Sequence, residues 1–206
     1  MKALIVLNGG DMDLTFLRGI IEEHDTVIGV DGGNRSLIEL GLEPDIAIGD
    51  FDSFDPGVLN RAEIMRYPHD KDEIDAELAL DLCWNMGFES VTVVGWMGDR
   101  PDMVYALFGL LGRYPQGWVV LESEKLSVGM VSESVVLDAR PGEMWSILPL
   151  GERAVLSLEG FEYEIEDREM RLEKPYGVSN VSRSERVGIE VKEGKVIYFR
   201  WKRRPS

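Results

Sequence analysis

A chain of 206 residues can form one large domain or two small ones with a real core, and an apolar fraction of 44% excludes a disordered polymer. A net charge of -16, from 38 acidic against 22 basic side chains, excludes nonspecific nucleic-acid binding through a basic face. The single cysteine, Cys83, excludes an internal disulfide and a cysteine-rich zinc site, and its apolar helical surroundings make it a small core residue.

In chain order, the first half alternates short apolar runs with amphipathic ones. Ala3 to Leu7 reads as a buried strand. It is too short for a secretory leader, and no stretch approaches the roughly 20 apolar residues that span a bilayer, so the expected location is the cytoplasm. Asp13 to Glu23 reads as a helix with Leu14, Leu17, Ile20 and Ile21 on one face. Val27 to Val30 is a strand, Asn34 to Leu40 a short helix, Ile46 to Gly49 a strand, and Met65 to Tyr67 a further short one. Asp72 to Met86 reads as a helix with Leu78, Leu82 and Trp84 among its apolar positions. Val91 to Val94, Asp102 to Leu111 and Trp118 to Leu121 follow as strand, helix and strand. Such alternation indicates a Rossmann-like α/β domain with a parallel sheet, over residues 1–124.

Beyond that boundary the helical period disappears. Ser134 to Leu137, Met144 to Leu148, Ala154 to Leu158, Glu162 to Ile165, Arg186 to Val191 and Lys195 to Trp201 read as short strands. Turn signals such as Arg140-Pro141-Gly142 and Glu193-Gly194 separate them, which indicates an antiparallel β-sandwich over residues 125–206. Lys202-Arg203-Arg204 reads as a solvated basic end.

Ligands of an open parallel sheet bind beyond the carboxyl ends of its strands. The clusters expected there are Asn8-Gly9-Gly10, Asp31-Gly32-Gly33, Gly49 to Ser53, Asp70 to Asp75 and Gly95 to Asp102. Asp50 and Asp52, two apart on an extended backbone, should project to one side and offer hard oxygens to a magnesium ion and a phosphate compound. Asp72 and Asp75 read as an N-cap and its N3 partner at a helix start, with Asp75 also facing a metal. Arg100 is suited to phosphate oxygens, or else to a surface pair with Asp102. No Walker lysine loop or G-x-G-x-x-G fingerprint is present, and His24 and His69 read as surface residues.

These blocks, in this order, resemble the thiamine pyrophosphokinase family. The resemblance is carried by Asp31-Gly32-Gly33, Pro44-Asp45, Gly49-Asp50-Phe51-Asp52-Ser53, Lys71-Asp72 with Asp75, and Gly95, Gly98, Arg100 and Asp102. It continues with Ser146 to Leu150, Gly160 to Tyr163 and Gly177-Val178-Ser179-Asn180. It implies transfer of the pyrophosphoryl group of ATP to the hydroxyl of thiamine, giving thiamine diphosphate and AMP, in a homodimer. By the same resemblance Asp50, Asp52 and Asp75 would hold magnesium; the chemistry of the transfer itself calls for a carboxylate, Asp72 or Asp75, to accept the alcohol's proton. Asp31, Gly32, Gly33, Arg100 and Asp102 would contact ATP, and Ser179 and Asn180 would lie near thiamine. The chain departs from the family pattern at Asn34, Arg35, Ile74, Asp99, Met103 and Val181. Those departures keep open a related magnesium-dependent transferase or hydrolase with another acceptor, and a non-catalytic nucleotide- or thiamine-binding protein.

Overall fold

A computed structural model describes residues 1–10 and 12–202, so Arg203 and Arg204 lie outside the described residues. The chain divides into two compact units. One comprises Met1–Leu110 with Leu121–Ser123, the other residues 111–120 and those from Glu124 onward.

In the first unit, strands β1 (Lys2–Val6), β2 (Thr26–Val30), β3 (Ile46–Gly49), β4 (Glu63–Arg66) and β5 (Ser90–Val94) lie in the order β5-β1-β2-β3-β4, all parallel. β1 and β3 are apolar along almost their whole length because both faces of a parallel sheet are covered. Helix α1 (Leu14–Ile21) starts where the Asp13 carboxylate accepts from Phe16 N at 2.9 Å. Its Leu17 and Ile20 pack with Leu4, Val6, Val27 and Val94. Helix α2 (Gly33–Glu39) follows β2, and α4 (Pro101–Leu111) follows β5.

Helix α3 (Asp75–Asn85) corrects two expectations. It begins three residues later than Asp72, and its N-cap is Ile74, an extended residue that makes no side-chain capping bond. Asp75 is therefore the first helical residue, where its charge complements the helix dipole. The buried stripe is Ala76, Ala79, Leu80 and Cys83, spaced i, i+3, i+4 and i+7, while Trp84 is half exposed. Burial pushes the Cys83 thiol up to about 12, which leaves it chemically inert. Because Ile74 has the backbone of a cap without a capping oxygen, Ile74→Thr is expected to stabilise the unit by about 0.5–1 kcal/mol, read as a raised urea midpoint.

The second unit holds β7 (Leu126–Val131), β8 (Ser134–Asp138), β9 (Met144–Pro149), β10 (Arg153–Glu159), β11 (Ile165–Arg171), β12 (Asn180–Val181), β13 (Arg186–Glu193) and β14 (Val196–Trp201). Between the two units in sequence, β6 (Val119–Glu122) straddles the division. Two antiparallel sheets form, β12-β9-β14-β7 and β11-β10-β13-β8. Their inward residues, among them Val131, Trp145 and Ile147 from one and Leu156, Met170 and Ile189 from the other, make one core. Sequence reasoning missed β7, whose six residues are all buried and so show no alternation. It also misplaced β11, expected at Glu162 to Ile165. That strand is a charged edge with only Met170 fully buried, and Asp167 within it is left-handed (φ 48°). Among the described residues no helix is long and apolar enough to cross a membrane.

Candidate functional site

The acidic loop after β3 is shaped by a turn, not by the strand pleat expected from Asp50 and Asp52. Gly49 leaves the strand at φ 149°, where an added Cβ would stand 3.1 Å from that of Asp31. Phe51 is left-handed at φ 61°, buried, and covered by the Arg66 guanidinium 5.0 Å from its ring centroid. Arg66 Nη1 donates to Asp50 O at 2.9 Å, and Asp52 N donates back to Asp50 Oδ1 at 3.1 Å. Arg35 donates to the Ser53 carbonyl, and the Ser53 hydroxyl donates to Asp31 Oδ2. The loop is thus held from α2, β2 and β4.

His69 is the site residue the sequence did not reveal. Its Nδ1 lies 2.6 Å from Asp50 Oδ2, and the ligand atoms of Asp50, Asp52 and His69 all fall within 4.8 Å of one another. The His69 hydrogen bond, then the Asp52 N–H, hold the Asp50 carboxyl below its usual range, and Asp50 in turn raises His69. His24 is also more than a surface residue. Its ring bridges Ile20 O at 2.7 Å and Thr92 Oγ1 at 2.8 Å.

A cavity of about 410 Å³ opens at the carboxyl ends of the strands. Its walls come from the loops after β1, β2, β3 and β5 and from the starts of α3 and α4. That is the position where the strand order reverses between β1 and β5, the usual crevice for a ligand of such a sheet. The acidic wall is Asp31, Asp52, Asp75 and Asp99, and the apolar wall includes Ile74, Trp96, Met103 and Leu107. Asp31 carries φ 41° and has one buried carboxylate oxygen without a hydrogen-bond partner. Asp75 Oδ1 lies 2.8 Å from Lys71 Nζ, an ion pair outside hydrogen-bond alignment, so this buried oxygen also accepts no directed bond.

The other expected site residues sort as follows. Asp50 faces His69 and does not line the cavity; Asp75 lines it but stands outside the Asp50–Asp52–His69 group. Asp72 is exposed and is not among the residues that line this cavity. Gly32 and Gly33 answer to the chain itself. A Cβ on Gly33 would stand 2.1 Å from Val6 O, and one on Gly32 would stand 2.4 Å from Asn8 Nδ2. Arg100 lines the cavity and clasps Asp102 bidentately, with Nε to Oδ1 at 2.9 Å and Nη2 to Oδ2 at 2.6 Å, which pulls the Asp102 carboxyl down to about 2. Of the departures from the family pattern, Ile74, Asp99 and Met103 all line the cavity. Asn34 is buried and donates to Asp31 O at 2.8 Å.

In the second unit Ser179 is left-handed (φ 62°), and its N–H donates to Ser146 Oγ at 3.2 Å. The Asn180 side chain is buried and bonded to backbone through both its Nδ2 and its Oδ1. Its Nδ2 donates to Tyr163 O at 2.9 Å, and its Oδ1 accepts from Tyr163 N at 3.0 Å and Val181 N at 2.9 Å. Asn180 thus fixes the corner that presents the exposed Tyr163 ring. Asn180→Ala strands those backbone groups and is expected to cost about 1–3 kcal/mol in chemical denaturation.

Residues 17–117 match the family model described as thiamin pyrophosphokinase, catalytic domain, and residues 134–196 match that described as thiamin pyrophosphokinase, vitamin B1 binding domain. The chain belongs to the thiamin pyrophosphokinase family. Thiamine pyrophosphokinase of Bacillus subtilis (strain 168) is 34% identical over 108 residues, and that match spans 50% of this chain and 50% of the relative. The thiamin pyrophosphokinase fold is seen in solved structures. That of Bacillus subtilis has a TM-score of 0.86 at 24% identity, covering 98% of this chain and 99% of its own. That of Geobacillus thermodenitrificans has 0.85 at 21%, covering 98% of each. That of Candida albicans has 0.81 at 16%, covering 97% and 88%. At these identities the likeness is one of fold. It agrees with the expected pairing of an α/β domain with an antiparallel β-sandwich.

Proposed function

We propose that the chain is a thiamine pyrophosphokinase that moves the pyrophosphoryl group of ATP to the hydroxyl of thiamine, giving thiamine diphosphate and AMP. The observation that carries this reading is the convergence of four strand-end loops on one acidic cavity, three of them within the residues that match the catalytic-domain model. The match of residues 134–196 to a vitamin B1 binding domain supports thiamine as acceptor.

Transfer of this kind needs in-line positioning and neutralised phosphate charge more than covalent participation by the protein. The donor set suits magnesium, since carboxylate oxygens are hard ligands and those of Asp50 and Asp52 are already adjacent. Asp50, Asp52 and Asp75 are the proposed holders. When bound, the ion would neutralise phosphate charge and polarise its oxygens. Arg100 would orient phosphate oxygens, exchanging Asp102 for them. Asp31, with its unpartnered oxygen in the cavity wall, suits a nucleotide hydroxyl. Of the two carboxylates considered as proton acceptor, Asp75 faces the cavity and Asp72 does not. Ser179 and Asn180 would serve the thiamine-binding part, Asn180 by fixing Tyr163, in a cytoplasmic homodimer.

The test is AMP release from ATP and Mg²⁺, with and without thiamine, while thiamine diphosphate is followed directly. Thiamine-dependent AMP with matching product is the expected result. The placement of Ile74, Asp99 and Met103 in the cavity wall favours one alternative, a related transferase with another acceptor. AMP release from Mg²⁺–ATP with another alcohol in a substrate panel, and not with thiamine, would select it.

A further inference from the structure

Lys71 has no role in the reading above, yet its side chain is only 12% exposed and ends among carboxylates. Its ammonium lies 2.8 Å from Asp75 Oδ1 and 3.4 Å from Pro68 O, and its charge also helps to lower Asp50. A long amine does not stay desolvated without a charge partner, and here the partner is a proposed metal ligand. The arrangement is repeated on the other side of the loop, where His69 sits on Asp50. One carboxylate assigned to a cation therefore already faces an ammonium, and a second faces a ring nitrogen.

We infer that Lys71 is a placeholder cation. It holds Asp75 in position while no metal is bound, gives up that carboxylate when a divalent cation takes it, and then turns its ammonium to the phosphate oxygens of the incoming nucleotide. This rests on Asp75 being a metal ligand. It makes Lys71 a competitor of the free metal and a helper of the metal–nucleotide complex. A purely structural lysine, needed to aim Asp75, acts in the opposite sense on the free metal. Lys71 lies in the loop before α3, so its stem can leave Asp75 without moving the helix.

The experiment is Mn²⁺ binding to the full chain by electron paramagnetic resonance, without nucleotide, followed by calorimetric titration of Mn²⁺–ATP. Wild type, Lys71→Met, Lys71→Gln, Lys71→Arg and Asp75→Asn are compared, with circular dichroism melts to establish folding. The two neutral variants are expected to bind Mn²⁺ about three- to tenfold tighter, as removal of a largely buried like charge requires. They are also expected to bind Mn²⁺–ATP more weakly, and Lys71→Arg should stay near wild type in both. Unchanged or weaker Mn²⁺ affinity in folded Lys71→Met and Lys71→Gln, with Asp75→Asn weakened, overturns the placeholder alone. Unchanged affinity in Asp75→Asn removes Asp75 from the metal site and takes this inference with it.

Discussion

Asp52→Asn, Asp75→Asn and Asp50→Asn should each lower thiamine-dependent turnover by about 100-fold or more while leaving the protein folded. Asparagine keeps the shape and one acceptor of each carboxylate but removes the charge that a magnesium ion and its phosphates require. Asp52 and Asp75 face the cavity, so their loss acts directly on bound substrate. Asp50 acts beside Asp52 and also anchors His69. Stability should follow a different order. Asp75→Asn leaves the largely buried Lys71 ammonium against a neutral amide, so it is the variant expected to lose melting temperature, by a few degrees. Steady-state AMP release at a series of Mg²⁺ concentrations separates the two effects, because an affinity defect is relieved by more metal and a folding defect is not. Full turnover in Asp50→Asn or Asp75→Asn would show that the metal assignment is wrong.

Much of the first unit can be read from its residues because a doubly covered parallel sheet leaves a strong mark. Ile46 to Gly49 is apolar throughout, and the structure makes it β3 with those bounds. Helix starts were less legible. Asp13 caps α1 as its residue type suggests, but Asp72, of the same type, caps nothing, because α3 starts at the cavity wall with Ile74 in the cap position. Ile74 brings an apolar side chain to the same cavity wall as Met103 and Leu107, and no capping oxygen. In the second unit the readable strands are those with one wet face. β7 is buried on both faces and β11 is nearly all wet, and neither leaves a period of two.

The site was legible as a set of loop ends and illegible in its pairings. That the clusters after β1, β2, β3 and β5 would meet follows from topology alone. That His69 would close on Asp50 does not, since the two are 19 residues apart and joined only by the pairing of β3 with β4. A glycine marks a close approach without naming the neighbour. At Gly9 the missing Cβ makes room for the chain, with Gly95 O 2.1 Å and Met97 O 2.3 Å from where that atom would stand. That the Asn180 side chain would be bonded to the backbone of Tyr163 and Val181 is not legible in its sequence either. Local sequence announces which groups are polar and where the chain can bend; only tertiary contact decides which of them remain open.

Trp145→Ala should be the most damaging single change in the second unit, at about 3–5 kcal/mol in urea unfolding. The side chain is fully buried between the two sheets. Phe161 meets it edge-on at 5.8 Å, Tyr198 lies at 5.7 Å, and the Arg200 guanidinium stands 5.5 Å over its ring, fixed there by Glu143 at 2.9 Å. Its indole N–H is buried without a hydrogen-bond partner, so the ring serves through its apolar area and not through its donor. Trp145→Phe therefore removes an unpaired polar group along with some area, and should lose less than half as much as the alanine variant. Comparable losses in the two would mean that the N–H is satisfied in solution. The change should also reach thiamine. Trp145 pairs with Asn180 across β9 and β12, and Asn180 fixes Tyr163. A collapse at Trp145 lets that corner move, so Trp145→Phe should raise the KM for thiamine more than the KM for ATP. An equal rise in both constants would place the thiamine-binding surface away from Tyr163.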